Sequence, residues 1–200
     1  MTMNVLVAGS TGKTGSQLVA EIKEMGQLPV ALVRESSDTS VLPDGVATRI
    51  ADLTDLNDDV CADADVVVFA AGSGGSTGAE MTDKVDREGA KRLIDIAAKS
   101  GVQRFVMLSS VGADNPNPEG DLAHYLEAKH AADEHLKASG MTYSILRPVA
   151  LTDGGRTDNI KLGSDVDKSA QASRADVAHV LADAAVNGTY DGQSQDMQSA

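Results

Sequence analysis

Short apolar runs, many of them β-branched, alternate along the chain with stretches of helical spacing. The runs are NVLVAG (4–9), PVALVR (29–34), VATRIAD (46–52), VVVFAAG (66–72), RFVMLSS (104–110) and TYSILRP (142–148). Most are continuously apolar rather than alternating, the pattern of strands covered on both faces. Between them the spacing predicts helices over residues 14–25, 82–99, 121–138 and about 174–186. The second of these carries Val85, Ala90, Leu93, Ile94 and Ala97 at helical intervals and stops at Gly101. The third stops at Gly140, and Ser173 is placed to cap the start of the fourth. Such alternation predicts an α/β fold, a doubly wound domain whose parallel sheet is flanked by helices.

No internal repeat or low-complexity linker interrupts the pattern, and 200 residues suit a single domain spanning 1–200. The last eight or so residues are expected as a short edge strand or a frayed tail. The loop GADNPNPEG (112–120) and the irregular stretch 152–169 are expected near the carboxyl ends of the strands, where ligands bind in this architecture.

Composition narrows the partners more than the fold. The chain is 42% apolar and 24% charged, an ordinary globular balance, with no Trp. Thirty acidic against 17 basic residues give a net charge of −13, which repels phosphodiester backbones and anionic membranes. Neither nucleic acid nor membrane is therefore expected as a partner; a small-molecule substrate is expected from the chemistry read below, and monomer and homodimer both stay open. The single Cys61 allows no intrachain disulfide, suits a cytoplasmic setting and is expected as a small buried residue. No basic leader or apolar run of about 18 residues is present, so neither a signal peptide nor a membrane span is expected.

The stretch VLVAGSTGKTG (5–15) carries the first candidate chemistry. Its Gly12-Lys13-Thr14 triplet imitates a triphosphate P-loop. Counting back the length that such a loop needs lands on Val7, inside the first strand, so the wrap is too short. Gly9, Gly12 and Gly15 instead fit a dinucleotide site at a strand-to-helix turn, the arrangement of a Rossmann domain. Gly9 ends the strand, Gly12 lets backbone approach a pyrophosphate, and Gly15 lets the helix pack closely on the sheet. The pyrophosphate would lie on the helix N-terminus among Ser10, Thr11, Lys13 and Thr14. The second strand runs into Arg34, a cation suited to the 2′-phosphate of NADP, with Lys13 as a second charge for the same group. Glu35 follows directly, and the preference would turn to NAD if Glu35 rather than Arg34 faced the ribose. Small residues end the fourth strand, so Ala70, Ala71, Gly72 and Ser73 are candidates for the approach of ribose and nicotinamide.

Tyr125 and Lys129 lie four apart on a predicted helix and therefore on one face. A lysine ammonium beside a phenol stabilises the phenolate, which can then pass a proton to or from a substrate oxygen during hydride transfer. Lys129 is also placed to hold the nicotinamide ribose. Ser109 and Ser110 end the fifth strand and could orient the same oxygen; Ser110 is the preferred of the two.

Taken together, VAGSTGKTG, LVRES, ADLTD, AAGS, VDREGAKRLIDIA, FVMLSSVGAD, YLEAKHAADEHL, YSILRP and SRADVA span nearly the whole chain. They resemble the compact atypical short-chain dehydrogenase/reductase (SDR) proteins, NAD(P)-binding and epimerase/dehydratase-like. The resemblance implies that Asp52 and Leu53 contact the adenine and that Pro148 begins the segment passing the nicotinamide. Asp86 stands where extended members commonly carry Asn. About 50 residues follow Pro148, fewer than the substrate domain of sugar-nucleotide epimerases needs. Arg174 and Asp176 match a late signature expected to be structural.

Asp133 and Glu134 are expected to solvate the outer face of their helix. His124, His130, His135 and His179 show no metal-ligand pattern, so no metal is expected. The expected function is an NADPH-dependent oxidoreductase acting on a small carbonyl or related acceptor. An NADPH-responsive binding protein and an epimerase-like activity are the alternatives.

Overall fold

The computed structural model describes residues 2–72 and 78–199. Each predicted apolar run forms a strand: β1 (Asn4–Ala8), β2 (Leu28–Val33), β3 (Ala47–Ile50), β4 (Val66–Phe69), β5 (Arg104–Leu108) and β6 (Thr142–Pro148). The helices are α1 (Gly15–Glu24), α2 (Ala79–Met81), α3 (Ala90–Ser100), α4 (Ala123–Ala138) and α5 (Arg174–Asn187). A π-helical stretch (Thr82–Gly89) joins α2 to α3 without a break. Four further strands complete the list: β7 (Ala150–Thr152), β8 (Ile160–Leu162), β9 (Gln171–Ser173) and β10 (Gln193–Ser199).

Eight strands form one sheet in the order β3-β2-β1-β4-β5-β6-β10-β8. Every pairing in it is parallel except that of β8 with β10. β7 and β9 pair separately, in parallel, as a two-stranded sheet. The closing segment is therefore an internal strand, and β8 takes the edge.

Side chains alternate across the sheet with period two, so one strand serves two cores. Val5 and Val7 of β1, with Val66 and Val68 of β4, pack against Leu18, Val19 and Ile22 of α1 and against Val177 and Leu181 of α5. Leu6, Ala8, Val67 and Phe69 face the opposite way, with Phe105 and Met107 of β5, onto Leu93 and Ile94 of α3 and Leu136 of α4. This two-sided burial explains why the strands read as unbroken apolar runs. Each fully buried Leu, Ile or Phe contributes about 1.5–3 kcal/mol. The start of α5 is fixed as its sequence suggested: Ser173 Oγ accepts the Asp176 backbone N–H at 3.0 Å.

The outcome that matters for function is directional. The carboxyl ends of β1 to β6 lie along one edge of the sheet, with β1 between β2 and β4. The glycine loop, Arg34, Asp52, Ala70 to Gly72, Ser109, Ser110 and Pro148 all follow or close those strands.

Candidate functional site

The glycine loop is shaped by close backbone approach. Gly9 holds φ +80°, and a Cβ on it would stand 2.5 Å from the Ala71 backbone nitrogen, so β1 and β4 could not converge as they do. The Gly12 N–H donates to the Gly9 carbonyl at 3.0 Å, closing the turn. At Gly15 a Cβ would collide with the Gly9 carbonyl oxygen, and its absence lets α1 start directly against the loop. Ser10 is fully buried, and its Oγ donates to the Leu32 carbonyl at 3.0 Å, tying the loop to β2.

A cleft of about 510 Å³ opens beside this loop. Among the residues expected at a cofactor, Gly9, Thr11, Gly12, Arg34, Asp52, Leu53, Ala70, Ala71 and Gly72 line it. Ser37, Thr54 and Lys84 line it as well and were not singled out from the sequence. Arg34 and Ser37 form a tight turn: the Arg34 N–H donates to Ser37 Oγ and the Ser37 N–H to the Arg34 carbonyl, each at 3.0 Å. Glu35 is exposed and is not among the lining residues. Asp52 accepts both the backbone N–H and the hydroxyl of Thr54 at 2.8 Å. These two bonds, and then Arg34, hold its carboxyl below the usual carboxylate range.

The remaining expected cofactor residues lie off this lining. Thr14 is buried at the start of α1, and Pro148 is buried at the end of β6. Lys13 is exposed and donates to Asp153 at 2.7 Å, while Arg174 holds the other oxygen of the same carboxylate. Ser73 lies outside the described residues.

Tyr125, Lys129, Ser109 and Ser110 do not line the cleft but are joined to its end. A Cβ on Gly72 would meet Asp86 Oδ1 at 3.3 Å, and the same Oδ1 lies 3.0 Å from Lys129 Nζ. Lys129 is only 3% exposed, with its Nζ 5.6 Å from the centre of the Tyr125 ring and 5.8 Å from that of Phe69. Burial alone would lower the ammonium; Tyr125, then the carboxylates of Asp86 and Asp133, hold it above the ordinary lysine value. Its neighbours thus favour the charged form of Lys129 against its burial. Tyr125 and Ser110 are half-buried, whereas Ser109 is buried with its Oγ donating to Asp133 Oδ2 at 3.0 Å.

Asp133 corrects the expectation of a solvated outer face. It is fully buried, because α4 turns Ala128, Lys129, Ala132, Asp133 and Leu136 inward. Its partner is Arg147 on β6, whose Nε donates at 3.0 Å and whose Nη2 lies at 2.9 Å. Burial pushes the Asp133 carboxyl up, against the pull of Arg147, Ser109 and Lys129. An arginine inside the run YSILRP, on a strand covered on both faces, is the sequence signal that pointed toward an inward carboxylate. Asp176 and Glu134 behave as expected: Asp176 holds Thr157 and Ser199, and Glu134 pairs with Lys137. Among the described residues, no group of three or more His, Cys, Asp or Glu is placed to hold a metal ion, and no helix is long and apolar enough to cross a membrane.

Known proteins converge on the same architecture. A Bacillus subtilis (strain 168) protein named as an uncharacterized sugar epimerase, YhfK, is 37% identical over 185 residues, covering 90% of this chain and 86% of its own length. The solved structure of a putative NAD-dependent epimerase/dehydratase from Bacillus halodurans superposes with a TM-score of 0.93 at 36% identity, covering 99% of this chain and 94% of that one. That of the oxidoreductase ylbE from Lactococcus lactis gives 0.87 at 27% identity, over 99% of this chain and 91% of that one. The match of residues 9–187 to the NAD(P)H-binding family joins these relatives to the glycine cradle and its cleft: the chain belongs to that family, as an atypical SDR-like protein.

Proposed function

We propose that the protein is an NADP(H)-dependent oxidoreductase that reduces a small carbonyl substrate. The observation that carries this is the succession of near neighbours leading from the cleft, at Gly72, to Asp86, Lys129 and the Tyr125 ring. The turn of Gly9, Gly12 and Gly15, whose close backbone approach a Cβ would block at Gly9 and Gly15, sets the start of α1 beside the cleft and so fits a dinucleotide pyrophosphate. When bound, the nicotinamide cofactor supplies a hydride to the carbonyl carbon. Tyr125 gives the carbonyl oxygen its proton, so the substrate leaves as an alcohol. The Lys129 ammonium supports the phenolate left on Tyr125, and Ser110 positions the oxygen by a hydrogen bond.

Arg34 supports NADP over NAD. It is an exposed cation at the cleft wall, with the Ser37 hydroxyl in the same turn, whereas Lys13 is paired with Asp153. The Lactococcus relative's description as an oxidoreductase supports hydride chemistry; the Bacillus subtilis relative's name keeps an epimerase-like reaction as the second reading.

The test has two parts. Calorimetry compares NADPH with NADH, and hydride transfer from NADPH is followed with a panel of aldehydes, ketones, quinones and flavins. Tighter NADPH binding with turnover of a carbonyl acceptor supports the proposal. Binding without transfer to any acceptor sinks it in favour of a cofactor-responsive binding protein.

A further inference from the structure

Proton transfer from Tyr125 makes no direct use of Asp133, although a fully buried carboxylate is costly to keep. Tyr125, Lys129 and Asp133 follow one another at four-residue intervals on α4 and so share a face. The end of β5 meets that face through two successive residues. Lys129 Nζ donates to the Leu108 carbonyl at 3.4 Å, and Ser109 Oγ donates to Asp133 Oδ2 at 3.0 Å. From β6, Arg147 Nε donates to the same Oδ2 at 3.0 Å, while the Ser109 N–H donates to the Leu146 carbonyl at 2.8 Å. Three elements therefore meet at one carboxylate, and the residue that follows the clamp is Ser110.

The geometry points to Asp133 as a positioning residue: its carboxylate clamps the end of β5 to α4 and so sets the spacing of Ser110 from Tyr125 and the seat of Lys129. The inference rests on the oxidoreductase reading above. Asp133 acts through its neighbours, since Ser109 and Lys129 lie between it and the reacting groups. Its charge holds Arg147 and balances part of Lys129, and its Oδ2 fixes Ser109 by direct contact. An amide in its place could still accept from Ser109 but would leave Arg147 without its counter-charge. A shift of about 1 Å between groups that must converge on one substrate oxygen costs about 10²-fold in rate. That makes the clamp a determinant of turnover rather than of cofactor affinity.

The test compares the wild type with Asp133→Asn, Asp133→Glu and Ser109→Ala, each corrected for its folded fraction by circular dichroism. NADPH oxidation with the best acceptor from the carbonyl panel gives kcat and KM separately. The [ζ-13C]tyrosine NMR signal of Tyr125, identified by its loss in Tyr125→Phe, reports the ring's surroundings without any turnover. With three tyrosines and no Trp, the spectrum is simple. Asp133→Asn is expected to lower kcat by about 10–100-fold while leaving the KM for NADPH within about twofold. It is also expected to move the Tyr125 signal and leave those of Tyr143 and Tyr190 in place, with Asp133→Glu recovering most of both effects.

A folded Asp133→Asn protein with wild-type kcat overturns the clamp. If no acceptor in the panel supports NADPH oxidation by the wild type, the oxidoreductase reading fails and the NMR signal alone decides. A displaced Tyr125 signal then sustains the clamp, and an unmoved one overturns it. Should Asp133→Asn fail to fold, Ser109→Ala, which keeps every charge, is judged by the same two measures.

Discussion

Arg147 on β6 holds its Nη2 2.9 Å from Asp133 Oδ2 on α4, and neither side chain is open to water. Breaking such a pair from one side leaves a buried charge without its partner. Arg147→Ala should therefore lose about 3–5 kcal/mol of stability in urea unfolding. The exposed pair of Lys137 with Glu134, at 2.7 Å, is the control, and Lys137→Ala should lose less than about 1 kcal/mol. Equal losses would mean that burial adds nothing to the Arg147 pair.

Tyr125→Phe removes one hydroxyl and keeps the ring that faces Lys129. Turnover should fall by about 10²–10⁴-fold, the usual worth of a positioned acid/base, with NADPH affinity nearly intact. Unchanged turnover would remove Tyr125 from the chemistry.

Arg34→Glu reverses the charge at the cleft wall beside Ser37. NADPH should bind about 10–100-fold more weakly, as expected for loss of a charged hydrogen bond, and NADH much less so. Calorimetry on both cofactors decides it, since equal weakening would rule out a 2′-phosphate contact.

Acid sensitivity should trace to Asp176. Burial alone would raise its carboxyl, but hydrogen bonds from Ser199, Thr157 and Ser173 bring it below the usual carboxylate range. A carboxyl lowered by folding contributes stability that is present above its unfolded pKa of about 4 and is lost as pH falls through its folded value. Asp176→Asn should therefore reduce stability at neutral pH and flatten its decline below about pH 4. A decline as steep as in the wild type would place the acid-sensitive group elsewhere.

β1, β2, β4, β5 and β6 were legible because two-sided burial writes itself as a largely apolar run, and they and the more exposed edge strand β3 were each located to within about three residues. β10 was not legible as an internal strand. Its sequence QSQDMQS buries only Met197 and Gln198 and carries none of the β-branched density that marked the others. The π-helical stretch Thr82–Gly89 left no mark either, since it reads as part of the same predicted helix as residues 90–99. At the site, residues fixed by backbone shape were visible: the glycines, and Arg34 at its strand end. Ser37 and Thr54 were missed because they reach the cleft by turns after β2 and β3, where no periodicity operates. Asp133 was misplaced for a different reason. A charged run on a helix looks solvated until the inward Arg147 on a distant strand is counted against it.

The strand order also carries a timetable. β8 has no neighbour in the main sheet except β10, although it precedes β10 by some thirty residues. As the chain lengthens, β1 to β6 can assemble in turn on partners already made, but β8 must wait for Gln193–Ser199 to seat against β6. Until then the outer edge of β6 stays open, with backbone groups ready to pair with any passing strand. The pairing of β8 with β10 is therefore the last that the topology allows to close, and a chain interrupted before Gln193 would leave the edge of β6 open to another strand.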